Sequence, residues 1–347
     1  MKTKAAVLYA INKPLKIEEL TIPDLKSGQV LVKIVYSGIC RSQLNEIQGL
    51  KGQDNYLPHT LGHEGSGIVE AIGEGVSKVN QGDRVVLTWI KGEGADVPSV
   101  LYKKADGSIV NSGAISTFMS KAVISENRLV KIPSEMPLRE AALLGCAIPT
   151  GAGIVLNNLK VQSGNSVVIF GVGGIGLSAV MAASLMEATP VIAVDVFDYK
   201  LKLARDIGAT HLINASQEEP LETIMRITGG RGVDYAIEAA GRRETMENAF
   251  RAVRDSGGMC VLAGNLSQGE RISIDPFDLI KGKQIIGTWG GETDPDKDIL
   301  KYIHLYQAGK LKLDELITDT FSLDEINKAI DMMSKGQNVG RCLIDSF

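Results

Sequence analysis

The pattern of apolar and polar positions changes character near Ser163. Before it, β-branched runs are short and are broken by glycine and polar clusters. Residues 30–36 (VLVKIVY), 67–72 (GIVEAI) and 84–88 (RVVLT) predict strands, with 73–75 and 81–83 as turns between them. An irregular, mainly-β domain is expected there. After Ser163, apolar runs alternate with amphipathic stretches. Strands are predicted at 167–170, 191–194, 211–214, 234–238, 259–263 and 284–288, and helices at 177–187, 199–207, 221–228 and 244–255. Gly208 stands where a helix C-cap glycine belongs. Strands alternating with helices predict an α/β fold with a doubly wound parallel sheet. Beyond Gly291, two helical stretches, 297–308 and 323–333, precede a last strand. The sequence shows no repeat and no low-complexity linker. The order implies that the α/β domain (148–290) is inserted in a first domain made of 1–147 and 291–347.

Residues 161–186 carry no charge and are long enough to span a bilayer, but five glycines and a set of polar residues interrupt them. The stretch reads as turn, strand, glycine loop and helix, so no membrane span is expected. The 347 residues are 44% hydrophobic and 22% charged, the balance of a globular protein. With 37 basic and 41 acidic side chains the net charge is −4, which offers nucleic acid or an anionic membrane no general attraction. The four cysteines are widely spaced and do not form a disulfide scaffold. The N-terminal apolar run is too short for a secretory signal. A reducing, cytoplasmic location is expected.

Candidate chemistry begins at Gly171-Val172-Gly173-Gly174-Ile175-Gly176, a GxGxxG pattern. It follows the apolar strand SVVIF and opens a helix of small residues. Glycines there allow a tight turn and let backbone approach a pyrophosphate at a helix N-terminus. The next strand, VIAV, ends at Asp195, 19 residues after Gly176, where an acid would hold the adenosine ribose hydroxyls. Asp195 would repel a 2′-phosphate, and neither Val196 nor Phe197 supplies a compensating cation. NAD is therefore expected over NADP. Lys200, one helical turn on, is within reach of the ribose.

Cys40, His63 and Cys146 are a second candidate set. Two thiolates and an imidazole suit zinc and leave one position for a reacting oxygen. Their separation in sequence leaves two readings open, a shared metal or three unrelated buried groups.

The chain resembles the zinc-dependent alcohol dehydrogenases of the medium-chain dehydrogenase/reductase superfamily over essentially its whole length. The resemblance is carried, in the family's order, by GICRS, LGHEGSGIVEAIGEGVSKVNQGDRV, ISTF, ALLGCAIPTGAG, GVGGIG with the later Asp195, and VGRCLI. It implies a GroES-like catalytic domain interrupted by a Rossmann domain. It implies catalytic zinc on Cys40, His63 and Cys146 with Glu64 beside it, and Ser42 as acceptor of the alcohol proton. It further implies Arg41 and Arg341 on the cofactor pyrophosphate, Thr150 against the nicotinamide, and Trp89 and Phe118 along the substrate pocket. A small alcohol or its aldehyde is the implied substrate, and a homodimer or homotetramer the implied assembly.

Three positions depart from the family. No cysteine lies within 91–112, where many members hold a structural zinc on four cysteines. That segment reads as a polar loop, and a single catalytic zinc is expected. Gln43 stands where a carboxylate commonly orients the histidine ligand, and it is expected to accept a hydrogen bond with less charge. Asn45 replaces a titratable histidine that ends the proton relay in some members. His59 precedes His63 in an H-x₃-H pair, but its loop-like surroundings predict an exposed histidine and not a ligand.

The leading expectation is an NAD-dependent alcohol dehydrogenase. A polyol or sugar-alcohol dehydrogenase is the alternative, disfavoured because many of those carry glutamate in place of Cys146. A zinc-free quinone reductase fits poorly with three intact ligands. A nucleotide-binding regulator without catalysis conflicts with an intact Ser42.

Overall fold

The computed structural model describes residues 1–347. The chain divides into two compact units. The first comprises Met1–Cys146, Asp294–Ala308 and Ile317–Phe347; the second comprises Ala147–Thr293 and Gly309–Leu316.

The first unit is built on strands β1 (Lys2–Leu8), β2 (Lys16–Thr21), β3 (Gln29–Ile39), β4 (His59–Thr60), β5 (Glu64–Ile72), β6 (Arg84–Thr88), β7 (Ser99–Lys103), β8 (Ile109–Gly113), β9 (Lys121–Ser125) and β10 (Leu129–Lys131). β1, β2, β7, β8 and β4 close into a small barrel. Segment 91–112, expected as a polar loop, contains the β7–β8 hairpin instead, paired from Ser99↔Gly113 to Lys103↔Ile109. Along β7 exposed and buried residues alternate, with Val100 and Tyr102 inward. Lysines at 103 and 104 and the Asp106–Gly107 turn mask this two-residue period in the sequence. Val100, Tyr102 and Val110 join Val30, Val32, Val85 and Leu87 in one apolar core.

The second unit holds β11 (Val167–Phe170), β12 (Val191–Asp195), β13 (His211–Asn214), β14 (Tyr235–Glu238), β15 (Met259–Leu262) and β16 (Gln284–Gly287). All neighbouring pairs are parallel, in the order β13-β12-β11-β14-β15-β16. The order reverses between β11 and β14, and ligand crevices of doubly wound sheets open at such a point. Residues 161–186 resolve into β11, the glycine turn and the helix Gly174–Leu185, whose Leu177–Ala183 stretch is entirely buried. No single helix is long and apolar enough to cross a membrane.

The chain then returns to the first unit through the helix Pro295–Gln307 and the strands β17 (Ile317–Ser322) and β18 (Arg341–Ser346). β18 pairs antiparallel with β3, setting Cys342 opposite Ile39 and Leu343 opposite Gly38. That pairing brings the C-terminal segment to the strand end that carries Cys40.

Candidate metal and dinucleotide sites

Three separate elements of the first unit deliver the metal-type donors. Cys40 follows β3 and begins the helix Arg41–Ile47, His63 immediately precedes β5, and Cys146 follows the 3-10 turn Ala142–Gly145. Two glycines let these elements meet. A Cβ at Gly38 would lie 2.4 Å from Glu64 Oε1, and one at Gly145 would lie 2.2 Å from the Leu87 carbonyl and 2.8 Å from Glu64 Cβ. Any larger residue at either place would push a cysteine away from His63.

The ligand atoms of Cys40, His63 and Cys146 all lie within 4.8 Å of one another. Cys40 Sγ is 4.0 Å from Cys146 Sγ, and His63 Nε2 is 3.3 Å from Cys146 Sγ. Cys40 is buried, and the Cys146 thiol beside it, with help from His63 and the Arg341 guanidinium, holds its thiol well below the usual range. A thiolate is the ligating form of cysteine. Two sulfurs and one imidazole converging in a buried pocket match zinc chemistry, with three protein donors leaving a place for substrate.

The groups around the donors are equally specific. Gln43 Oε1 accepts the Cys40 N–H at 2.9 Å, while its Nε2 is turned to His63 Nδ1. The accepting oxygen expected to face His63 is thus committed to the backbone. Glu64 is fully buried and forms an ion pair with Arg341, which is 5% exposed. The Arg341 guanidinium therefore lies on the acid next to His63. Ser42 is half-buried in the first turn of the Arg41–Ile47 helix, and Arg41 is exposed there.

Trp89 meets the His63 ring edge-on, with centroids 6.4 Å apart. Phe118 departs from expectation. It is 0% exposed and packs with Ala6, Leu8, Ile39, Leu44 and Leu61 in a core cluster, so its ring presents no surface to a substrate. An aromatic flanked by polar residues in sequence reads the same whether it lines a cleft or fills a core. His59 also departs from expectation. It lies in β4, is 7% exposed, and bonds Asp54 through Nε2 at 2.7 Å and the Thr60 carbonyl through Nδ1 at 3.0 Å.

In the second unit the glycine loop links β11 to the helix Gly174–Leu185. Gly171 has φ +86°, and a Cβ at Gly176 would stand 1.9 Å from the Gly171 carbonyl, so both must be glycine for the chain's own sake. Gly173 differs: a Cβ there would meet nothing within 4 Å. Its bareness leaves space for something outside the chain. Gly174 and Ile175 form the first helical turn behind it, with no side chain capping the N-terminus. Asp195 Oδ2 accepts the Val172 N–H at 3.0 Å, and Oδ1 accepts those of Val196 and Phe197 at 2.8 and 3.2 Å. The acid is thus tied to the glycine loop. The Lys200 ammonium stands over the Phe197 ring, 5.0 Å from its centroid. Thr150, 5% exposed, has a buried Oγ1 with no hydrogen-bond partner. Open space at Gly173, an uncapped helix start and an orphaned hydroxyl fit a dinucleotide.

Comparison with known proteins agrees with both halves. Residues 26–134 match the alcohol dehydrogenase GroES-like domain and residues 174–307 the zinc-binding dehydrogenase family. The chain is 33% identical to S-(hydroxymethyl)glutathione dehydrogenase of Synechocystis sp. over 98% of each chain, and 34% identical to NDMA-dependent alcohol dehydrogenase of Amycolatopsis methanolica over 100% of each. Its fold superposes on benzyl alcohol dehydrogenase of Acinetobacter calcoaceticus with a TM-score of 0.90, at 32% identity and 100% coverage of both chains. With the donor cluster, the doubly wound sheet and relatives matched end to end, the chain belongs to the zinc-dependent alcohol dehydrogenases of the medium-chain dehydrogenase/reductase superfamily.

Proposed function

We propose that the protein is an NAD-dependent dehydrogenase of medium-sized apolar primary or aromatic alcohols, working also in reverse on their aldehydes. The convergence of Cys40, His63 and Cys146 carries the reading. These three would hold one zinc. Bound zinc supplies Lewis-acid polarisation of the substrate oxygen. Bound NAD supplies the acceptor for the hydride that leaves the carbinol carbon.

The chain's own residues do the rest. Ser42, two residues after Cys40, relays the hydroxyl proton: its Oγ accepts that proton as its own passes on to solvent, which half-buried Ser42 reaches, and the relay runs backwards in the reverse direction. Glu64 with Arg341 forms a charge-balanced buried pair beside His63 and so limits stray charge near the reacting oxygen. Asp195 binds the ribose hydroxyls and disfavours a 2′-phosphate, while Gly173, Gly174 and Ile175 offer backbone to the pyrophosphate. Thr150 offers its free hydroxyl to the nicotinamide end. Exposed Arg41 adds cationic charge for the phosphates, Arg341, its charge balanced by Glu64, offers them only N–H donors, and Lys200 serves the ribose.

Trp89 supports an apolar substrate, since burying its surface against a carbon skeleton gains about 25 cal/mol per Å². A polyol there would lose hydration without replacement partners. The benzyl alcohol dehydrogenase relative agrees with this preference. Self-association is part of the proposal, as a homodimer or homotetramer. β16 is the outer strand of its sheet, and Phe277 and Ile280 are 59% and 77% exposed. A reducing compartment, the cytoplasm, suits four free cysteines.

The test is an NADH-fluorescence screen of zinc-loaded protein with benzyl alcohol, hexanol and sorbitol, each with NAD and with NADP. Benzyl alcohol or hexanol with NAD should give the highest kcat/KM. Higher efficiency on sorbitol transfers the assignment to sugar alcohols, and higher efficiency with NADP removes the role given to Asp195.

A further inference from the structure

A buried acid stands in the second unit: the carboxyl of Glu238, the last residue of β14. The side chain is 0% exposed. Burial pushes its pKa up, against the hydrogen bonds it receives. Oε1 accepts three of these, from the Ala240 N–H at 3.0 Å, the Gly241 N–H at 2.8 Å and the Thr245 hydroxyl at 2.6 Å. Oε2 is buried without a partner. A buried acid of this kind costs free energy that an apolar residue would not, so its contribution lies in what it holds.

What it holds is turn 239–242, which leads into the helix Arg243–Ala252. The turn lies directly against the glycine loop. A Cβ at Gly171 would be 2.7 Å from the Ala240 nitrogen and 2.8 Å from its Cα, and the Ala239 N–H donates to the Phe170 carbonyl at 2.8 Å. On its other side, a Cβ at Gly264 would be 2.3 Å from the Gly241 nitrogen and 2.4 Å from Glu238 Oε2. β11 and β14 are the neighbours between which the strand order reverses. The turn thus walls the crevice that faces the glycine loop. One carboxyl oxygen fixes two successive N–H groups of that wall and anchors them to the following helix through Thr245.

We propose that Glu238 is a positioning residue for the dinucleotide, whose buried carboxyl fixes turn 239–242 against Gly171 and thereby sets cofactor affinity. The inference rests on the assignment of a nicotinamide dinucleotide to this unit. Leaving three donors without an acceptor lets the turn move away from the glycine loop. Cofactor binding then weakens, while the cysteine and histidine donors of the other unit are untouched.

The experiment uses the full-length, zinc-loaded protein and titrates NADH and NADPH by fluorescence, with zinc content, melting temperature and steady-state kinetics measured alongside. Glu238→Ala should raise the NADH Kd and the KM for NAD about tenfold or more, with kcat at saturating NAD within about threefold and zinc content unchanged. Glu238→Gln should stay within about threefold of wild type, because an amide oxygen accepts the same three donors. Thr245→Val, which removes one donor, should shift Kd in the same direction by less, and it carries the test if Glu238→Ala does not fold. Glu238→Ala binding NADH as wild type does, or a melting-temperature loss with no change in Kd or KM, overturns the inference alone. Wild-type protein that binds neither NADH nor NADPH overturns the dinucleotide assignment and this inference with it.

Discussion

At the residue scale, Gln43 distinguishes this metal site. Zinc ligation through His63 Nε2 requires the ring proton on Nδ1 and an acceptor facing it. The amide has one oxygen, already bonded to the Cys40 N–H, and turns its nitrogen to the ring. A carboxylate would serve both donors. Gln43→Asp should therefore slow zinc loss to a chelator by about tenfold, measured with a colorimetric zinc indicator. Equal loss rates would show that the amide already orients the ring adequately. Cys146→Ser should abolish turnover and release zinc, because a hydroxyl is a far poorer ligand than a thiolate. Ser42→Ala should lower kcat by about 10²-fold or more with the NADH Kd unchanged, as expected for loss of a proton-transfer group. Retained full activity would remove Ser42 from the mechanism. At this scale the sequence is a good guide to which side chains can do chemistry. It is a poor guide to which oxygen faces which ring, since that depends on residues 20 positions apart.

At the element scale, segment 91–112 must be ordered without the cysteines that would allow a metal staple. Glu126 performs that task. Its Oε1 accepts the N–H groups of Ser77 and Lys78 at 2.7 and 2.9 Å, and its Oε2 accepts that of Ala95 at 2.9 Å. Asp296, from the returning helix, adds a bond to the Glu93 N–H at 2.7 Å and an ion pair with Lys78 at 2.5 Å. Burial alone would push the Glu126 carboxyl up, but its three backbone bonds outweigh it and hold the pKa below the usual value. A depressed carboxyl stabilises the fold above its unfolded pKa of about 4.3, and that contribution disappears as pH falls through the lower folded value. Glu126→Ala should cost about 1–2 kcal/mol in urea denaturation at pH 7, by removing the shared acceptor of three N–H groups that water only partly reaches. Glu126→Gln, with one accepting oxygen, should cost less and flatten the acid side of the stability profile. A profile unchanged in both variants would mean that the segment is held elsewhere.

At the scale of the whole molecule, one zinc per chain is expected from metal analysis of washed protein, because a single converged Cys/His/Cys set coincides with a cysteine-free 91–112 segment. Two equivalents would require donors outside that set. The strand–helix alternation after Ser163, the glycine loop and Asp195 were legible because each is a local pattern: a periodicity, a turn chemistry, a spacing within one strand–helix–strand unit. The strands β11 to β16 fall within a residue or two of where apolar runs place them. Segment 91–112 was not legible as a hairpin, because its exposed face carries the charges that make it resemble a loop. Phe118 and His59 were misplaced for a related reason, since burial is a property of what packs around a residue and not of its immediate neighbours. The sequence by itself determined the fold class and the dinucleotide motif, and it named Cys40, His63 and Cys146 as candidate donors without deciding that they meet. Only the tertiary structure decided that Gly38 and Gly145 close in on Glu64, that β18 returns to lay Arg341 on that acid, and that Glu238 clamps the turn beside Gly171. Each brings together residues distant in sequence, through close backbone approach or a buried ion pair, and such contacts exist only once sheets and loops have packed.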